Sequence, residues 1–144
     1  MNTNSKTVEM KDRKVILSTL WIFAMFNYLY ADICTLTDPV VLKKIMTGAG
    51  GGIQMNEGSL LGAAILMETG IAMVLLSRVL KYRANRWANI IAGIINTAAV
   101  SLSLFASGTM PTLYYMFFAA IEIPCTLFIV WYAWKWRNPE GQPS

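Results

Sequence analysis

A chain of 144 residues that is 56% hydrophobic and only 14% charged is too apolar for an ordinary soluble domain and is typical of a membrane protein. It contains no histidine, which argues against haem, most zinc sites and histidine-rich di-iron sites, so we expect no cofactor and no metal. The net charge is +4, but the basic residues cluster in the connections rather than in one stripe, so nucleic-acid binding is not expected.

Four apolar stretches follow a polar lead at residues 1–14, and each is close to the roughly 20 residues that cross a bilayer. We predict membrane-spanning helices over residues 15–37, 59–80, 87–107 and 112–136, all within one transmembrane domain that occupies residues 1–144. The predicted fold class is therefore all-α, an integral membrane four-helix bundle.

The connections differ from one another in chemistry. Asp38 followed by Pro39 is typical of a helix start and predicts a short interfacial helix over residues 39–46. A glycine-rich linker or mobile lid follows, ending near Glu57, and residues 81–86 predict a short basic connection. Residues 108–111 predict a tight turn, and residues 137–144 a polar tail.

The distribution of basic residues predicts the orientation. Of the twelve lysines and arginines, all but Lys43 and Lys44 lie at the amino end, around the second connection or at the carboxyl end. By the positive-inside rule both termini are expected to be cytoplasmic, with the short helix in the first outer loop. The expected location is the cell's inner (plasma) membrane, crossed several times.

Each predicted span carries a polar residue near its middle. Asn27, Glu68, Asn96 and Glu122 lie about 13–18 Å from an interface at 1.5 Å per residue, which is the midplane of the bilayer. Asp32 lies about one turn or more nearer the outer side. Because an ionisable group at this depth is costly in lipid, we expect these side chains to face a shared polar site inside the bundle.

Helical spacing supports that expectation. On the second span Ala64, Glu68 and Ala72 share one face, and on the fourth Glu122 aligns with small and polar neighbours. The third span shows the longest stripe of small and polar residues: Asn85, Asn89, Ala92, Asn96, Ala99 and Ser103.

Clustered carboxyl groups without histidine or an interior base suit acid–base work, or the binding of a lipophilic neutral or cationic molecule. We predict that Glu68 and Glu122 form an acid and base pair and that Asp32 sets the charge of the entrance, these three being the candidate catalytic residues. The candidate ligand-binding residues are Asn27, Tyr28, Trp21, Asn96 and Tyr115.

Several functions fit this site. An enzyme would be an isomerase, cyclase or hydratase of an isoprenoid or sterol-like compound. The alternatives are a proton-coupled exporter of lipophilic cations, expected to be a homodimer, and a non-catalytic accessory membrane subunit. In a further alternative the amides and protonated acids only bond helix to helix as an inert polar core.

The run from Trp21 to Ile33, together with Glu68 and the sequence IEIP at residues 121–124, resembles a functionally unassigned family of small bacterial four-span membrane proteins. The pattern of membrane acids and an asparagine also resembles the sterol-isomerase and sigma-2-receptor group, whose members bind lipophilic amines or form carbocations. The small multidrug transporters are similar in having four spans and a membrane glutamate, but theirs lies in the first span, where this chain has Asp32.

Overall fold

Helices make up nearly all of the computed structural model, which describes residues 3–47, 56–106 and 110–136. In chain order they are α1 (Thr3–Thr37), α2 (Pro39–Met46), α3 (Glu57–Val79), α4 (Tyr82–Ala106) and α5 (Leu113–Trp134). All but α2 are long and apolar enough to cross a membrane. The prediction of an all-α four-helix membrane bundle is confirmed. The predicted polar tail, most of the predicted glycine linker and half of the predicted tight turn lie outside the described residues.

The four long helices pack as a ring. Helix α1 packs against α3 and α5, and α4 packs against the same two helices, so α3 and α5 lie on opposite sides. Helix α4 packs closely on α5 at Gly93, where an added Cβ would lie 2.6 Å from Cγ2 of Val130. Small residues at such crossings let membrane helices come together.

The short helix α2 has the predicted bounds. The carboxylate of Asp38 accepts hydrogen bonds from the amides of Val40 at 2.9 Å and Val41 at 3.4 Å. Pro39 occupies the first helical position, where its missing amide proton costs nothing. Helix α3 starts with a reciprocal cap between Asn56 and Ser59.

Helices α1 and α4 begin earlier in the chain than the predicted spans. The predicted lead is helical from Thr3, and α4 begins at Tyr82, so the second connection is only residues 80–81. Lysine and arginine are good helix formers, and a continued helix satisfies backbone groups that a loop would leave free. An ion pair of 3.3 Å between Arg13 and Glu9, one turn apart, also stabilises the start of α1.

A buried polar network joins α1, α3 and α4 in the half of the bundle that holds the chain's amino end. The indole N–H of Trp21 donates to Oδ1 of Asn89 at 2.8 Å, and the hydroxyl of Ser77 donates to the same oxygen at 3.2 Å. The Asn89 amide donates to Asn85, whose own amide donates to the carbonyl of Ser77 at 2.5 Å. We call these four residues the Asn89 network.

Candidate functional site

Glu122 lies on the buried face of α5, nine residues from the start of that helix. Its side chain is only 4% exposed, and its Oε1 atom has no hydrogen-bond partner among the described residues. A buried carboxyl oxygen without a partner costs free energy that a paired one does not. The structure thus confirms that Glu122 faces the interior, and leaves part of its hydrogen-bonding capacity unused.

Tyr28 on α1 carries a second unsatisfied group. Its hydroxyl is buried and has no hydrogen-bond partner within the described part of the chain. Tyr28 lies nine residues before the end of α1, so it is level with Glu122 in the antiparallel α5. The two side chains are close enough to interact electrostatically. Two neighbouring helices therefore present unpaired oxygens to the same region.

Other polar side chains surround this pair. Asp32, one turn beyond Tyr28, and Cys125 both lie within electrostatic range of Glu122. The hydroxyl of Tyr115 hydrogen bonds to that of Ser103 on α4. We call this group of side chains the Glu122 cluster; its members are Tyr28, Asp32, Tyr115, Glu122 and Cys125.

The Glu122 cluster is acidic and open at one edge. Asp32 is exposed, whereas Glu122 is buried. No lysine or arginine occurs on α1 beyond Lys14, or on α5 at all, so neither helix supplies a counter-charge. Like charges repel at close range, and a cation or proton between the carboxyl groups would relieve that repulsion.

Glu68 does not face the interior, and this corrects the predicted pair with Glu122. It is exposed at the centre of α3, eleven residues from either end. The buried residues of α3 are Gly70, Met73 and Ser77, and at 100° per residue Glu68 points about 140–180° away from them. The small residues that align with Glu68 do form a stripe, but the stripe faces outward.

Three other predicted ligand-binding residues have partners elsewhere. Trp21 is fully buried in the Asn89 network. Asn27 donates to the carbonyl of Phe23, and buried Asn96 to that of Ala92, each within its own helix at 2.9 Å. Among the predicted ligand-binding residues, Tyr28 and Tyr115 are those that lie in the Glu122 cluster.

Ser103, beside the cluster, and Cys125, within it, are not among the predicted site residues. Ser103 belongs to the polar stripe of α4, and that stripe was the signal that could have identified it. Cys125 is buried, and its thiol lies 3.8 Å from the carbonyl of Leu20 on α1. Among the described residues, no three histidine, cysteine, aspartate or glutamate side chains are placed so that they could hold a metal ion together.

Two surface cavities lie away from Glu122. One is an apolar groove of about 380 Å³ between α1 and α3. The other, of about 690 Å³, lies where α4 begins and α5 ends, and it is lined by tyrosine, tryptophan and basic side chains. The second cavity has the opposite charge to the Glu122 cluster and calls for a different ligand.

Comparison with other proteins gives a family but no activity. No curated protein and no solved structure matches the chain. The profile of the family of unknown function DUF6326 matches residues 6–142, a range that includes all the described spans and every residue of the Glu122 cluster. The resemblance to a functionally unassigned family is thereby confirmed, and the chain belongs to the DUF6326 family.

Proposed function

We propose that this multi-pass membrane protein binds a lipophilic, protonated amine at the Glu122 cluster. The observation that carries the proposal is the pair of buried, unpartnered oxygens on Glu122 and Tyr28. Buried polar groups in proteins are nearly always hydrogen bonded, so two such groups at one level of adjacent helices suggest an absent partner.

The chemistry of the cluster selects the ligand. A carboxylate oxygen accepts hydrogen bonds, and an ammonium group donates them while neutralising the charge. The phenol rings of Tyr28 and Tyr115 add faces that attract cations. Phosphate, carboxylate and sulfate ligands would meet Glu122 and Asp32 without a basic residue on the same helices, so anions are disfavoured.

Asp32 gives the proposed site an entrance. Because Asp32 is exposed and lies one turn from Tyr28, an approaching cation meets its carboxyl group before it meets Glu122. Acid–base catalysis would need Asp32 as the second carboxyl group beside Glu122, since Glu68 lies on the outward face of α3. Binding requires no second acid, and it is therefore the function that the geometry supports best.

A matched pair of ligands tests this proposal. The purified protein in lipid nanodiscs is titrated with 1-aminoadamantane, a compact lipophilic amine, and with 1-adamantanol, its neutral counterpart. We expect preferential binding of the amine and a loss of about tenfold or more in Glu122→Gln, because hydrogen bonds to a charged partner contribute about 1.5–3 kcal/mol. Glu68→Gln is the control, since it makes the same chemical change on the outward face. Equal affinity of Glu122→Gln and the unmodified protein for the amine would contradict the proposal.

A proton-coupled exporter is the second candidate, favoured by the exposed carboxyl group of Asp32 within electrostatic range of buried Glu122. In this version amine binding displaces a proton from Glu122, and Asp32 receives it at the surface. Proton release on addition of 1-aminoadamantane, measured with a pH dye, should disappear in Glu122→Gln. Binding without proton release would support a plain binding protein instead.

We further propose that the protein forms a homodimer, the state that was expected of the exporter, because Glu68 is exposed on α3. A carboxyl group at the centre of a lipid-facing helix costs at least about 2.5–3.5 kcal/mol, and a second copy packed on α3 would cover it. Ala64 and Ala72 lie one turn to either side and would allow close approach.

Cross-linking in native membranes tests this interface. In a chain whose own cysteines are replaced, Ala64→Cys should form a disulfide-linked dimer. Ala98→Cys is the control, because Ala98 is equally exposed but lies on α4. Equal cross-linking of the two variants, or none in either, would count against a dimer through α3.

A further inference from the structure

The cavity between the start of α4 and the end of α5 has an unusual lining. It holds about 690 Å³, and three of its seven lining residues are basic while three are tryptophans. The lining residues are Tyr82, Arg83, Arg86, Trp87, Trp134, Lys135 and Trp136. The cavity lies at helix ends, where a membrane helix meets the headgroup layer.

The guanidinium of Arg86 is held in this cavity, but one of its hydrogen-bond donors has no acceptor among the described residues. One of its terminal nitrogens donates to the carbonyl of Trp134 at 3.1 Å, and its guanidinium lies 5.7 Å from the centre of that indole ring. Its Nε–H, however, is buried and has no acceptor among the described residues. A held guanidinium with a free donor is suited to bind an oxyanion.

The described residues supply no carboxylate to balance this charge. Their one ion pair joins Arg13 to Glu9, so Arg83, Arg86 and Lys135 have no acidic partner within the described ranges. Lys135 instead lies 4.8 Å above the ring of Trp131. Three cationic side chains around one cavity therefore attract an anion from outside the bundle.

One side of the cavity wall is held together by a hydrogen bond and a ring contact, and the other side is apolar and exposed. The hydroxyl of Tyr82 donates to the carbonyl of Trp136 at 2.6 Å, and their rings pack edge to face at 5.2 Å. Trp87 and Trp134, which also line the cavity, are 56% and 62% exposed. Indole rings at this level contact both headgroups and the first methylenes of acyl chains.

We propose that this cavity binds the phosphate headgroup of an anionic phospholipid. The phosphodiester accepts hydrogen bonds from Arg86 and Arg83, Lys135 adds charge, and the acyl chains lie along Trp87 and Trp134. Basic pockets at the ends of transmembrane helices are where anionic headgroups bind. A soluble phosphate would use the same bases but would gain nothing from the two exposed indoles.

Lipid binding to the purified full-length protein tests this site. Affinities for phosphatidylglycerol and phosphatidylcholine with identical acyl chains are compared by native mass spectrometry. We expect the unmodified protein to prefer phosphatidylglycerol. This preference should fall about fivefold in Arg83→Gln and about fivefold again when Arg86→Gln is added. The single variant changes an exposed residue, so it remains informative if loss of Arg86 impairs folding.

The control is Lys43→Gln with Lys44→Gln, which removes two exposed bases from α2, away from this cavity. We expect it, and Glu122→Gln, to keep the preference for phosphatidylglycerol. An equal loss in the α2 control, or full preference in Arg83→Gln and the double variant, would overturn the assignment. Competition by inorganic phosphate at the concentration of the lipid would also overturn it, because the site would then take the free anion.

Discussion

Two polar regions lie inside the bundle, and they differ in how far their hydrogen-bonding groups are satisfied. In the Asn89 network, Asn89 accepts hydrogen bonds from Trp21 and Ser77 and donates to Asn85. Both the oxygen and the nitrogen of its side-chain amide are therefore hydrogen bonded. In the Glu122 cluster, the hydroxyl of Tyr28 and one oxygen of Glu122 are buried with no partner in the described structure. Both regions connect α1 to other long helices.

This difference separates structure from candidate function. A satisfied network inside a membrane protein joins its helices and leaves nothing for a ligand to bind. An unsatisfied cluster lowers stability and is tolerated where a ligand completes it. Substitutions should therefore act in opposite directions in the two regions: removing a member of the Asn89 network should destabilise the fold, and removing an unpaired group near Glu122 should not.

The largest effect is expected for Asn89→Ala. The change leaves the indole N–H of Trp21 and the hydroxyl of Ser77 without their acceptor, so we expect the free energy of unfolding to fall by about 2–3 kcal/mol. Unfolding in mixed micelles by a denaturing detergent measures this. Asn27→Ala is the matched control, because Asn27 bonds only to a carbonyl of its own helix. Equal losses in the two variants would mean that the network does not hold the helices together.

The sequence predicted the residues of the Asn89 network better than those of the Glu122 cluster. The stripe on α4 identified Asn85, Asn89 and Asn96 as facing inward, and all three are buried. The Asp38–Pro39 signal gave the bounds of α2, because capping chemistry is local in sequence. Helix termini, repeated small residues and buried amides can all be identified without knowing which helices are neighbours.

Predicting the candidate site required knowing how each helix is rotated about its own axis, which the sequence does not show. Glu68 and Glu122 each align with small residues, yet α3 packs through Gly70 and Met73 and turns Glu68 outward. A helix face of small residues around one acid is compatible with packing inside the bundle or with facing outward. The pairing of Glu68 with Glu122 therefore could not be predicted. Trp21 was assigned to the ligand for a similar reason, since only the folded arrangement of the helices shows that Asn89 of α4 accepts its N–H.

The second effect is expected for Glu122→Met, which replaces a buried, partly unpaired carboxyl group by an apolar side chain of similar size. We expect the ligand-free protein to gain about 1–2 kcal/mol in unfolding free energy, because the unpaired oxygen is removed. The same detergent titration measures it, with 1-aminoadamantane binding recorded in parallel. A loss of stability comparable to that of Asn89→Ala would show that Glu122 is part of the structural core.

A smaller effect is expected for Tyr28→Phe, which deletes only the unpaired hydroxyl. The ring and its packing remain, so the unfolding free energy should stay the same or rise by up to about 1 kcal/mol. Amine binding should weaken severalfold, because one acceptor for the ammonium group is lost. The informative comparison is Tyr115→Phe, whose hydroxyl does have a partner in Ser103 and whose loss should destabilise the protein. Equal stability of the two variants would remove the distinction between paired and unpaired hydroxyls.

The smallest effect is expected for Glu68→Gln, because Glu68 belongs to neither polar region and points away from both. The free energy of unfolding of the monomer should change by less than about 0.5 kcal/mol, as for most surface substitutions, and the affinity for 1-aminoadamantane should not change. Isothermal titration in nanodiscs together with the detergent titration checks both values. If Glu68→Gln instead weakened amine binding as much as Glu122→Gln, the two acids would act on one ligand after all. That result would bring α3 of one copy against the Glu122 cluster of another, since within a single chain the two residues face opposite directions.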